Sequence, residues 1–229
     1  MPHSISHELM VKKIVAIYAE CNIQFFPVDC NSVVSHFGFR IYSYGELRTR
    51  NKRLYELATA YSRDSFTFTN IIAYNEKQAA RRIPFSLIHE LGHYILEHKE
   101  ESPENEDDAD EFASHFLAPR ILIHKYGYRT ADQIHDAFGL SYAAANRALV
   151  SYRKWFREIS YRIPRQPTEP ELQLEGIFFP EAKMHIEQSE IEQAQISWKF
   201  QQARADAEVW RQMDCIDNWM MPSQLSWYG

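Results

Sequence analysis

The chain is poor in glycine, with 7 among 229 residues. A turn-rich all-β architecture needs more than that, so the scarcity points toward helices. Cysteine is also scarce: Cys21, Cys30 and Cys215 form no CxxC pair and leave one residue unmatched. That argues against a disulfide-stapled secreted scaffold and fits a reducing compartment. There is no run of about 18 apolar residues, so no membrane-spanning helix is expected. Met1–Glu8 lacks the basic-then-apolar order of a leader, and the expected location is the cytoplasm. Excess positive charge is missing too. The net charge of −6 disfavours a chain that simply coats nucleic acid. What remains, 45% hydrophobic, 14% aromatic and 24% charged residues, is a globular composition with length enough for one sizeable core.

The spacing of Ile5, Leu9, Ile14, Ile17 and Tyr18 predicts a helix over 5–20, and a short one follows near Cys30–Phe37. Gly38–Tyr42 reads as a strand and Leu47–Ala60 as a helix. Phe66–Thr69 alternates, Ile71–Tyr74 is short and apolar, and the two can pair as a hairpin. Pro84 sits where a helix can begin, leading into Phe85–His98. Another helix covers roughly 106–117 and stops at Pro119. The chain therefore reads as α+β and predominantly helical.

His89-Glu90-Leu91-Gly92-His93 is an HExxH sequence within the predicted helix. Residues four apart share one helical face, about 6 Å apart along the axis. Two imidazoles so placed can converge on one ion, while Glu90, about 100° around the helix, can stand beside an attacking water. The flanking Phe85, Leu87, Ile88, Leu91, Ile95 and Leu96 make this helix apolar on most sides. Glycine inside a helix costs about 1 kcal/mol against alanine, so Gly92 signals a close approach by another backbone.

A catalytic zinc ion needs a third protein ligand. Glu97 continues the His89–His93 stripe but lies about 12 Å along the axis from His89, so the third ligand must come from another element. On the helix over 106–117, Ala109, Ala113, Phe116 and Leu117 form an apolar stripe that Glu106 and Asp110 share. Carboxylates facing a core need partners or a metal. Glu106 is assigned as the third ligand, and Asp110 as the acceptor that fixes the tautomer of a ligand histidine. Asp107 and Asp108 fit a solvated helix start. Glu90 is the candidate catalytic base. Tyr94, His98, His115 and His124 are unranked candidates for contacting the oxyanion or substrate. The strand Ile71, Ile72, Ala73, Tyr74 is a candidate substrate-binding edge, with an internal strand as the alternative.

The segment from Arg82 to His98, Glu106-Asp107-Asp108-Ala109-Asp110-Glu111-Phe112-Ala113 and then Phe116-Leu117-Ala118-Pro119 resemble the signature of the ImmA/IrrE family of bacterial metallopeptidases. Ile71–Asn75 and Phe26–Asp29 look like that family's preceding strand and N-terminal region, so the likeness spans residues 8 to 157. The Glu-x-x-x-Asp spacing also looks like that of gluzincin peptidases. The resemblance implies a zincin-like peptidase domain over 1–128, with a small sheet beside the motif helix. It also implies Zn2+ or another divalent ion, and cleavage of a cytoplasmic transcriptional regulator, such as a repressor of a prophage, mobile element or stress response. The alternative is a regulatory protein that keeps the zinc fold and grips a repressor or antitoxin-like partner without cutting it.

Gln133–Leu149, with Gly139 at a turn and Ser141 as N-cap, resembles a helix-turn-helix within 129–163. The arginines and lysine after it leave DNA contact through 131–157 open. The alternative is a helix pair packed on the peptidase or holding its protein substrate, and Ala143–Ala145 offer little base-reading chemistry. Pro164, Pro167 and Pro170 suggest a linker over 164–180, and 181–229 reads as a helical C-terminal region. Charge is concentrated as well. Glu97–Glu111 holds nine acids and one base, so the acidity belongs mainly to the segment bracketing the candidate metal site.

Overall fold

Helix ends are fixed by short polar side chains where the sequence supplies them. Ser6 Oγ accepts from the Leu9 amide and opens α1, His7–Glu20. Asp29 caps α2, Cys30–His36, by accepting from the amides of Asn31 and Ser32. This computed structural model describes residues 6–100, 102–161, 166–180, 197–198, 201–202 and 204. Met1–Phe178 forms one compact unit and Phe179–Gly229 a second. Of the expected C-terminal helical region, all but a few positions lie outside the described residues.

Strand β1, Arg40–Ser43, is followed by α3, Tyr44–Arg50, and α4, Lys52–Tyr61. A single helix was expected over 47–60. It is broken at Asn51, whose extended backbone ends α3 and whose side chain accepts from the Leu54 amide to start α4. Capping by a short polar side chain outcompetes helix continuation there. Strands β2, Ser65–Phe68, and β3, Ile71–Tyr74, form the expected antiparallel hairpin through Thr69 and Asn70. β1 joins β3 in parallel, with Ile41 opposite Ile72. The strand order is β1-β3-β2. The expectation that Ile71, Ile72, Ala73 and Tyr74 form an exposed edge is thus corrected. Ile72 and Ala73 are buried, and a continuous apolar run is what a central strand covered on both faces requires.

Helix α5, Ile83–Ile95, carries the HExxH sequence. It packs on β2 and β3, and α3, α4 and β3 share a cluster built from Tyr44, Leu47, Leu54, Ala58 and Ala73. Helix α5 stops three residues before the expected His98, because Glu97 turns to a positive φ of 60°. Ser102 caps α6, Pro103–Leu117, one turn earlier than expected, with Pro103 in the first position where a missing N–H costs nothing. Helix α6 packs against α5 and α1. Ala109, Phe112, Ala113 and Phe116 are fully buried there, and Tyr18 of α1 donates its hydroxyl to the Phe116 carbonyl. A Cβ on Gly92 would stand 3.0 Å from Phe112 Cδ1 and 3.5 Å from the Ala109 carbonyl oxygen, so the glycine does mark the close approach of α5 to α6.

Helices α7, Arg120–Lys125, α8, Ala131–Phe138, and α9, Tyr142–Tyr161, complete the layer beside α6. Gly139 takes the left-handed conformation between α8 and α9, with φ 69°, and Ser141 Oγ accepts from the Ala144 amide. Residues 164–180, expected as a linker, contain α10, Glu169–Phe178, which packs on α1 and α7. Pro170 lies in its first turn, where proline suits a helix start, so the density of prolines marked a helix boundary. Among the described residues no helix is long and apolar enough to cross a membrane.

Candidate active site

The face of α5 turned away from the core meets β2, α6 and the start of α9 around a cleft of about 950 Å³. His89, Glu90 and His93 all line it. The four-residue spacing brings His89 Nε2 and His93 Nε2 to 3.1 Å of each other. From α6, Glu106 Oε2 reaches 3.4 Å from His89 Nε2 and Glu106 Oε1 3.4 Å from His93 Nε2. The assignment of Glu106 placed it on a core-facing stripe. Instead its side chain is 51% exposed and that of Asp110 49% exposed, both toward the cleft. Asp108, expected to be solvated, is 8% exposed.

Each imidazole is turned by a group behind it. Asp110 Oδ1 lies 2.8 Å from His89 Nδ1. A carboxylate there accepts the Nδ1 proton and leaves Nε2 as a lone pair. Burial pulls the His89 pKa down, but the hydrogen bond to Asp110 and the charges of Glu90, Asp110 and Glu106 outweigh it and raise it overall. In return the hydrogen bond from His89 holds Asp110 below the usual carboxylate range, against some burial. His93 Nδ1 meets His98 Nδ1 at 2.9 Å. Burial and the adjacent His93 lower the His98 pKa; in the tautomer where His98 Nδ1 accepts from His93 Nδ1–H, His93 Nε2 presents a lone pair as well.

Two lone pairs and a carboxylate facing one another call for a cation. Ligands on a tetrahedral zinc ion with bonds of about 2.0 Å stand about 3.3 Å apart. The three separations of 3.1, 3.4 and 3.4 Å match that edge. His89, His93 and Glu106 could therefore hold a small divalent ion.

Glu90 points from α5 to β2. Ser65 Oγ donates to Glu90 Oε1 at 2.7 Å and Thr67 Oγ1 donates to Oε2. Neither hydroxyl was expected in the site, although hydroxyls two apart on an alternating strand share one face and are a readable signal. The Glu90 charge also acts on Tyr44, whose pKa is pushed up to about 12 by burial first and then by Glu90.

The four candidate oxyanion or substrate groups separate. Tyr94, 55% exposed, and His98 line the cleft. Tyr94 rests edge-on against Phe39, with ring centroids 5.2 Å apart. His115 and His124 do not line it. His115 is buried beside His7, and His124 lies among Tyr152, Trp155 and Phe156. Helical phase explains both positions: His115 shares the inward face of α6 with Phe112 and Phe116, and His124 faces α9.

Helix α9 contributes Ala143, Ala144 and Arg147 to the cleft wall, just after Ser141. Arg147 reaches over the Phe85 ring, 5.8 Å from its centroid, and its charge helps lower Asp110. The start of the helix-turn-helix-like pair thus borders the metal-ligand cluster. A pair packed on the peptidase was one of the two readings of this segment; which of its residues reach the cleft depends on long-range packing that the sequence does not show.

No curated protein and no solved structure matches the chain. A peptidase family model, described as the IrrE N-terminal-like domain, matches residues 48–150, from α3 to α9. That segment, which holds His89, Glu90, His93, Glu106 and Asp110, is similar to the IrrE N-terminal-like peptidase family.

Proposed function

We propose that this chain is a zinc-dependent endopeptidase acting on a cytoplasmic protein, with a transcriptional repressor or similar regulator as its substrate class. The observation that carries the peptidase reading is the convergence of His89, His93 and Glu106 with the Glu90 carboxylate alongside. The substrate class rests on the family likeness. A divalent ion at this triad would supply Lewis acidity toward a peptide carbonyl and lower the pKa of water.

The chain's own groups do the rest. Glu90, oriented by Ser65 and Thr67, accepts a proton from the attacking water and returns it to the leaving nitrogen. Asp110 and His98 keep the two imidazoles in the ligating tautomer. Tyr94 and His98 are the groups placed to meet the developing oxyanion. β2 pairs only with β3 among the described strands, so its outer edge can take an extended substrate as an added strand beside Glu90.

The test is incubation of the full chain with purified regulators encoded next to it, with and without a chelator. Cleavage that needs metal is expected, and Glu90→Gln should keep its metal and lose cleavage. Cleavage by the Glu90→Gln protein would overturn the mechanism. Binding of an intact regulator under every condition would replace the enzyme with a partner-gripping regulator.

A further inference from the structure

Among the described residues three buried histidine nitrogens have no hydrogen-bond partner, and two of them, His7 Nδ1 on α1 and His115 Nε2 on α6, lie in one cluster outside the cleft. Orphaned buried polar atoms are rare and imply a missing partner. Both face the same carboxylate. Glu111 Oε1 lies 3.8 Å from His7 Nδ1 and 4.0 Å from His115 Nε2. All three donor atoms fall within 4.8 Å of one another, and His115 is 5% exposed.

The His7 tautomer is set from behind. His7 Nε2 lies 3.5 Å from Glu171 Oε1. Glu171, 3% exposed, is itself held by the Trp155 indole N–H at 2.6 Å and the Thr168 amide at 2.8 Å. A carboxylate accepting at Nε2 leaves Nδ1 as a lone pair aimed into the cluster, the same device by which Asp110 directs His89. Burial first, and then the charge of Arg120, hold the His115 pKa well below that of a free imidazole.

We propose that His7, Glu111 and His115 form a second divalent-metal site, separate from the cleft, for a late first-row ion such as zinc. Two imidazoles and a carboxylate suit that class of ion. The separations exceed the roughly 3.3 Å edge of a tetrahedral zinc triad, so binding draws the ligands inward. The His7 and Glu111 side chains, 31% and 45% exposed, have room to move. Arg120 Nη2 already lies 3.0 Å from Glu111 Oε1. A carboxylate offers about four lone-pair positions, so Arg120 can stay, but its charge opposes a cation and places the affinity below that of the cleft. An ion here ties α1 to α6 and, through Glu171, to α10, which makes its role structural.

Full-length protein stripped by a chelator and titrated with Zn2+ tests this. The wild type should bind a tight and a weaker equivalent. His93→Ala should lose the tight one, whereas His7→Gln and His115→Gln should each lose the weaker one and the rise in Tm that accompanies it. His7, being partly exposed, gives the variant least prone to misfolding, and far-ultraviolet circular dichroism checks it. An equivalent lost in His93→Ala and kept in His7→Gln belongs to the cleft, so the two sites are read independently. A wild type that binds no second equivalent, or a second equivalent that persists in folded His7→Gln, would overturn the proposal.

Discussion

Ser65 Oγ donates to Glu90 Oε1 at 2.7 Å, so a hydroxyl on strand β2 holds the carboxylate proposed as the base on helix α5. With Thr67 on the other oxygen, the carboxylate is fixed before substrate arrives, and such preorganisation lowers the barrier. Replacing both Ser65 and Thr67 by alanine should reduce kcat about tenfold, roughly 1.4 kcal/mol of barrier, with metal content unchanged. Steady-state kinetics and metal analysis of the double variant check this. An unchanged kcat would show that Glu90 needs no help from β2.

In the proposed site, Asp110 acts on metal binding through His89. Removing a carboxylate that orients a ligand histidine weakens metal affinity by about 10–100-fold. Asp110→Asn should therefore fall in that range when Zn2+ is competed against a chromophoric chelator. The loss should be larger than for Asp107→Asn, whose carboxylate does not line the cleft.

The site was legible where its determinants are local. His89, Glu90 and His93 follow from spacing on one helix, and helical phase singled out Glu106 and Asp110. Phase alone could not show that the part of that stripe holding Glu106 and Asp110 borders a cleft, because this depends on how α6 packs against α5. Strand order was illegible for another reason: β1 reaches β3 by a long parallel crossover. The sequence left Ile71–Tyr74 open as an edge or an internal strand, and only the pairing of β3 with both β1 and β2 decides it. Nothing local could place Ser65 and Thr67 against Glu90 or bring Arg147 to the cleft. Both depend on packing between elements far apart in sequence.

Gly92→Ala tests the approach of α5 to α6. The added methyl would stand 3.0 Å from Phe112 Cδ1, so this fully buried ring, stacked on Phe116 with centroids 5.9 Å apart, would have to shift. Overpacking costs about 1–3 kcal/mol, and the helix-propensity gain of about 1 kcal/mol offsets only part of it. The variant should melt at a lower temperature. It should also bind metal more weakly, because the two helices carry the three ligands between them. A Tm at or above wild type would show that Phe112 can move aside.

Acid stability should depend on Glu171. Burial alone would raise its pKa, but hydrogen bonds from His7, the Thr168 amide and Trp155 reverse this and leave it below its ordinary value of 4.5. The unfolded chain then binds more protons than the folded one in the window below 4.5, so stability rises with pH there. The contribution is fully present above that value and is lost as pH falls through the folded pKa. Glu171→Gln removes the titration and weakens the hydrogen bonds, costing about 1–3 kcal/mol at neutral pH. Denaturant unfolding across a pH series should show the wild-type and Glu171→Gln curves well apart at neutrality and converging in acid below the ordinary value of 4.5. A constant gap down to the acid limit would mean that Glu171 titrates alike in both states.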